Sequence, residues 1–324
     1  MTVVAITGAT AGVGRAAARA FARRGDAVGL IARGADRLEI TRREVEQVGG
    51  RGLACAADVS DARAVEAAAD RIERELGPID VWVNCAMSAV LAPVAETAAE
   101  DVRRVTEVTY LGYVHGTLAA LPRMRARNRG VIVMVGSALA YRAIPLQATY
   151  CAAKHAIRGF TDALRCELMA EHSGVRVTSV HLPGLNTPQF GWVRTTLRRH
   201  PQPVPPIYQP ELAADAIVWA SRHPRREFFV GGSTVATIAG NKLAPRVADR
   251  YLARTNIPAQ QTGDPIDPEH HPDYLYAPLP GDRGAHGRFD AQATRRSPTW
   301  WVTKHRARLA AAAAVAGAAA ALRR

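Results

Sequence analysis

Cysteine is scarce in this chain, four in 324 residues, and no two of them form a C-x-x-C pair or a metal-ligand spacing. A disulfide framework is therefore not expected. Cys55, Cys85, Cys151 and Cys166 read as small buried hydrophobes in a reducing compartment, with Cys85 and Cys151 close enough to candidate site positions to raise the question of oxidation. There is no zinc-finger spacing, no aromatic-basic RNA-binding pattern and no helix-turn-helix, so the formal net charge of +13 does not point to nucleic acid. Its arginines read as solvated helix faces. No signal-peptide pattern precedes the first core-like strand, and the expected location is cytoplasmic. The apolar run near the C-terminus falls short of the roughly 20 residues a spanning helix needs. An acidic residue is also missing where the second strand ends, at Ala32-Arg33.

What is present is more specific. Val3-Val4-Ala5-Ile6 is a β-branched run suited to a buried parallel strand. It runs straight into Thr7-Gly8-Ala9-Thr10-Ala11-Gly12-Val13-Gly14, and an alanine- and arginine-rich helix pattern follows, ended by Gly25. Strand, glycine turn and helix in that order make a dinucleotide site: Gly8 for the tight turn, Gly12 for close approach to a pyrophosphate, Gly14 for helix–strand packing. Further on, Tyr150 and Lys154 stand four residues apart and so share a helical face. A lysine ammonium there is expected to favour the phenolate and lower the tyrosine pKa, suiting it to proton transfer. Ser137 adds a hydroxyl for the same substrate oxygen.

Together these motifs resemble the short-chain dehydrogenase/reductase family of the classical type, over about residues 1–240. The resemblance assigns Thr7, Gly8, Thr10, Gly12, Val13 and Gly14 to the nucleotide turn, and Asp58 and Val59 to the adenine contact. It assigns Asn84 and Ala86 to an N-N-A-G strand end, and Pro183, Gly184 and Thr187 to the nicotinamide side. Ser137, Tyr150 and Lys154 become the catalytic set, with Tyr150 and Lys154 also touching the cofactor and Lys154 holding its ribose hydroxyls. Two positions depart from the family. Thr109 stands where a relay asparagine is usual, and its hydroxyl is the group left to hold a relay water. Met87 replaces the last glycine of N-N-A-G. Arg33 at the end of the second strand suits a 2′-phosphate, so NADP(H) is expected over NAD(H).

The implied fold is α/β: a doubly wound parallel sheet (Rossmann fold) with helices on both faces, plus a C-terminal extension. Strands are expected near 27–33, 52–56, 80–84, 131–135, 175–181 and 228–232, and helices near 36–48, 61–75, 98–123, 149–171 and 210–221. The domain reading is 1–240 as the catalytic unit, 241–298 as an irregular extension with one helix near 247–253, and 299–324 as a basic, apolar tail helix. Residues 185–209 read as an irregular, proline-rich cover for the substrate, with aromatics that suggest an apolar one. The histidines and carboxylates of 269–273 read as solvated, and no metal is expected. From Gly281 onward nine basic residues face two acidic ones. With Trp300 and Trp301, that tail reads either as a peripheral membrane element or as a helix that packs or joins subunits.

The functional expectation is an NADP(H)-dependent oxidoreductase that interconverts a small-molecule carbonyl and an alcohol, with Tyr150 as general acid/base. The alternative is a nucleotide-binding or membrane-associated scaffold of the same fold with impaired catalysis, motivated by Thr109. The resemblance implies a homo-oligomer.

Overall fold

The β-branched runs pair side by side because each is too apolar to leave either face in water. In the computed structural model, which describes residues 1–321, seven parallel strands form the central sheet: β1 Val3–Thr7, β2 Ala27–Ala32, β3 Arg51–Ala56, β4 Val81–Asn84, β5 Gly130–Ser137, β6 Val175–Leu182 and β7 Glu227–Phe229. Their spatial order is 3-2-1-4-5-6-7, with the order reversing between β1 and β4. Ligands in such sheets bind at the carboxyl ends of the strands beside that reversal.

Each face carries its own core. On one side α1 Gly12–Ala22, α2 Ala35–Gln47 and the Pro210–Arg222 helix pack Phe21, Leu38 and Ile217 onto Val4, Ile6 and Leu30. On the other, α3 Ala62–Leu76, the Gly112–Ala126 helix and the Ala148–Ala170 helix pack Ile72, Met124 and Leu164 onto Ala5, Ile31 and Trp82. The helix expected over 98–123 is three pieces. α4 Ala99–Val105 widens into a π-helical turn over Thr106–Leu111, and α5 Gly112–Ala126 continues from it. Such wide turns often mark functional positions. α6 Ala148–Ala170 is one unbroken helix of 23 residues, and α7 is Pro210–Arg222.

The later chain is more ordered than the sequence suggests. β7 stops at Phe229, and Gly231, at φ +85, turns the chain into α8 Gly232–Leu243. Neither a hydrophobic period nor a side-chain cap marks that helix, so the sequence does not announce it. α9 is Pro245–Ala259, longer at both ends than expected. The region 185–209 contains two short strands. Arg194–Thr195 pairs with Val90–Leu91, and Arg199–Pro201 pairs antiparallel with Gln261–Pro265 from the extension. The 269–273 cluster is not simply solvated: Asp273 binds Arg194 at 3.0 Å, and His271 packs edge-on to His200.

Tail helix α10, Pro298–Ala321, begins in the core. Trp300 is 3% exposed, packs edge-on to Phe228, and donates its Nε1–H to Asp215 at 2.6 Å. Lys304 binds the same carboxylate at 2.8 Å. Trp300 and Lys304 are thus taken by the protein and are not free to anchor a membrane, which corrects that part of the expectation. Trp301 stays exposed. No helix among the described residues is long and apolar enough to cross a membrane. Leu322, Arg323 and Arg324 of the tail lie outside the described residues.

Candidate active site

At the carboxyl edge of β1 the chain makes its glycine turn. Gly8 has φ +70, and a Cβ there would lie 2.7 Å from the Ala86 Cα. A Cβ on Gly14 would lie 2.2 Å from the Gly8 carbonyl oxygen. Both neighbours are backbone, so neither can move aside cheaply. α1 opens with no side-chain cap and no acidic residue in its first turn. No side chain neutralises its positive end.

Gly8, Gly12, Val13 and Gly14 line a cavity of about 340 Å³ together with Ala86, Ser137, Tyr150, Lys154, Pro183, Gly184 and Thr187. Eleven of the anticipated residues, from distant parts of the sequence, thus meet at one opening. Thr7, Thr10, Arg33, Asp58, Val59, Asn84 and Thr109 do not line it. Thr7 accepts hydrogen bonds from the Cys85 and Ala86 N–H groups at 3.0 and 3.2 Å, tying β1 to the loop after β4. Asn84 is buried and holds Trp82 and Thr117. Thr10 offers its carbonyl to Arg15.

β5 ends in Ser137, whose Oγ accepts from the Leu139 N–H at 3.1 Å and so caps the turn after the strand. Beneath it, His181 lies 3.3 Å from the Ser137 carbonyl through Nδ1 and 3.7 Å from Glu227 through Nε2. Tyr141 donates its hydroxyl to Glu227 at 2.6 Å. His181 foremost, then Tyr141, outweigh the cost of burial and hold the Glu227 carboxyl at about 2. This cluster braces the strand end that carries the serine.

α6 carries Tyr150 and Lys154 on one face, as expected. Their electrostatics are not as expected. Burial pushes the Tyr150 phenol above its usual value, with Ser137 pulling the other way. Burial also lowers Lys154 to about 7. The Lys154 ammonium donates to the Val135 carbonyl at 2.8 Å and to the Tyr113 hydroxyl at 3.0 Å, and lies 5.5 Å from the Tyr150 ring centre. Without a ligand, then, the surroundings favour a neutral Tyr150 and not the phenolate that the spacing suggested. Thr109 is also corrected. Its hydroxyl donates to the Ser88 carbonyl at 2.8 Å and accepts from the Ser88 N–H at 2.9 Å, leaving no proton for a relay water. Burial pushes the thiols of Cys85 and Cys151 up, to about 12 and about 11, so neither is poised to react. Cys166 is exposed, against expectation.

The adenosine side holds what the sequence did not reveal. Asp58 is bound to Arg104 at 2.5 Å, and Val59 offers its carbonyl to His115. Arg33 donates to the carbonyls of Tyr274, Leu275 and Tyr276, and Arg37 to those of Leu279 and Gly281. Asp282 pairs with buried Arg15, and the Gly12 N–H donates to the Gly284 carbonyl at 3.2 Å. Residues 274–284 thus form a strap across this end. Leu275, fully buried against Val90, Ala92 and Val105, pins it. Trp192 of the substrate-side region meets it, 6.1 Å from the Tyr274 ring, with Arg37 and Arg283 over its face. Nothing in a Pro-, Asp- and Gly-rich stretch signals such contacts, because they are made by backbone carbonyls.

The cavity residues fit the pyrophosphate and nicotinamide half of a dinucleotide: a helix end without a side-chain cap, a turn where Cβ atoms would collide, and a buried lysine. Comparison with known proteins agrees. A family model described as short chain dehydrogenase matches residues 2–197. The chain belongs to the short-chain dehydrogenase family. It is 30% identical over 317 residues to the uncharacterized oxidoreductase YxnA of Bacillus subtilis (strain 168), covering 97% of this chain and 88% of that one. Two solved structures are similar. One is an alcohol dehydrogenase from the archaeon Thermococcus sibiricus complexed with 5-hydroxy-NADP (TM-score 0.62, 28% identity, 71% of this chain and 96% of that one). The other is L-sorbose reductase from Gluconobacter frateurii with NADPH and L-sorbose (TM-score 0.63, 26% identity, 71% and 95%). The fold is the Rossmann type that the short-chain dehydrogenases share, and the chain is an oxidoreductase of that family.

Proposed function

We propose that this short-chain dehydrogenase interconverts a neutral, apolar carbonyl compound and its alcohol with NADP(H), using Tyr150 as general acid/base. The observation that carries the reading is the convergence of Ser137, Tyr150 and Lys154 with the Gly8–Gly14 turn on one cavity. A bound nicotinamide supplies or accepts the hydride. In the reducing direction Tyr150, neutral in its buried setting, gives the phenolic proton to the substrate oxygen while Ser137 positions that oxygen. Lys154 presents its remaining N–H toward the cavity for the ribose hydroxyls.

NADP(H) is favoured because β2 ends without a carboxylate, and among the described residues Arg33 and Arg37 hydrogen-bond to carbonyls and pair with no carboxylate. The two NADP-type complexes among the structural relatives point the same way. The substrate is read as neutral and apolar because, among the described residues, Lys154 is the one charged side chain on the cavity wall, where Leu139, Ile144, Phe190, Trp192, Val193 and Leu252 also stand. A set of neutral ketones, aldehydes and secondary alcohols, scored by NADPH absorbance, tests this. Turnover of charged substrates alone, or of none, would overturn it.

A further inference from the structure

Lys154 is a buried cation without a counter-ion, 2% exposed, and no carboxylate pairs with it among the described residues. Such a group persists only where its protons are met by acceptors. The titratable groups that face it are Tyr113 from α5, Tyr150 from its own helix and Cys85 from the loop after β4.

Tyr113 makes the closest of these contacts. It is 1% exposed, and its hydroxyl donates to the Val135 carbonyl at 2.9 Å while accepting from Lys154 at 3.0 Å. Lys154 donates to the same Val135 carbonyl at 2.8 Å, which closes a three-membered ring of hydrogen bonds. The Tyr113 ring also lies beneath the ammonium, 4.5 Å from ring centre to Nζ. Thr109 stands one helical turn earlier, and its hydroxyl is closed on Ser88. The side chain that meets the lysine from this helix is the phenol four residues on. The π-helical turn Thr106–Leu111 ends two residues before Tyr113.

We propose that Tyr113 is a positioning residue for the reaction: its hydroxyl, with the Val135 carbonyl, holds the Lys154 ammonium in place beside Tyr150, so that one N–H faces the cavity. The inference rests on the oxidoreductase reading above. With two of its three protons engaged, the ammonium keeps one direction for a ligand hydroxyl. A phenol ring below and a carbonyl beside it restrain the head group on those two sides.

Tyr113→Phe keeps the ring and removes only the hydroxyl. Turnover in this variant should fall about tenfold or more, as for loss of one hydrogen bond to a charged group. The alkaline limb of its pH–rate profile should move to lower pH, because the ammonium loses an acceptor that favours its charged form. A purely structural tyrosine would lower activity without moving that limb. Thermal melting supplies a readout independent of turnover. Tyr113→Phe should lower the melting temperature more in the wild-type enzyme than in a Lys154→Met background, because the hydroxyl's bond to the Val135 carbonyl is lost in both and only the wild type also has an ammonium that loses an acceptor. A single variant that fails to fold, beside a double variant that folds, gives the same support. An unmoved alkaline limb with equal melting shifts in both backgrounds would overturn the positioning role. Absence of any turnover in the wild type would overturn the oxidoreductase reading and leave the melting comparison standing.

Discussion

The two ends of the dinucleotide groove are built differently. At the catalytic end, Ser137, Tyr150 and Lys154 come from β5 and α6, and their partners Val135, Tyr113 and Leu139 belong to the sheet, a covering helix and the turn that follows β5. At the adenosine end, Arg33 and Arg37 are held by carbonyls of residues 274–281, more than 240 positions away in sequence. One end is part of the core. The other is closed by a strap that touches the core from outside. An end held by core packing is rigid by default, whereas a strap held by a few contacts can open on its own.

Tyr150→Phe breaks the catalytic end most directly. Loss of a positioned general acid should lower turnover by about 10²–10⁴-fold, while dinucleotide affinity, measured by fluorescence titration, stays near the wild type. Turnover within a few-fold of the wild type would take Tyr150 out of the chemistry.

Leu275→Ala tests the strap. Truncating a fully buried leucine costs about 2–5 kcal/mol, here charged against strap closure more than against the sheet. Limited proteolysis should then cut within 262–290 well before the core, at a global melting temperature close to the wild type. Cutting and melting that change together would make the strap part of the core, and the contrast between the two ends would fall.

Arg33→Ala sharpens the contrast. The lost charge-assisted contact is worth about 1.5–3 kcal/mol, so NADPH affinity should drop roughly tenfold to a hundredfold relative to NADH. Equal weakening of both would make Arg33 an anchor for the strap alone.

The smallest effect concerns Glu227, below the serine. Its carboxyl is held at about 2 against a reference of 4.5, so its stabilisation is complete above the reference and is lost as pH falls toward 2. Glu227→Gln should flatten the pH dependence of melting in that acidic window and leave the neutral range little altered. An unchanged acid profile would mean that Tyr141 and His181 do not favour its charge.

The same contrast decides what could be read beforehand. The seven strands, the glycine turn and the Tyr150/Lys154 pair were legible because each depends on a local period or spacing. Tyr113 was not, because a buried aromatic on a helix looks the same whether it fills space or holds a lysine. The pKa of Tyr150 was expected in the wrong direction because i, i+4 spacing reports nearness, not burial. The strap stayed hidden because its contacts to Arg33 and Arg37 use main-chain carbonyls, which every residue has, and because Leu275 and Asp282 meet partners far away in sequence. Trp300 was misjudged because its partner, Asp215, sits on α7, 85 residues earlier.

The strap also imposes an order on assembly. The chain emerges N-terminus first, so the glycine turn, Arg33 and the catalytic pair can form their sheet before residue 274 exists outside the ribosome. The groove is open throughout that interval, and a dinucleotide arriving early would meet bare arginines, not carbonyl-bound ones. Closing the strap afterwards joins Arg33 to Tyr274, 241 positions apart in sequence, and with the sheet already formed only the chain beyond Phe229 has still to be ordered. The nascent enzyme and the finished one would therefore present different entrances to the same cofactor.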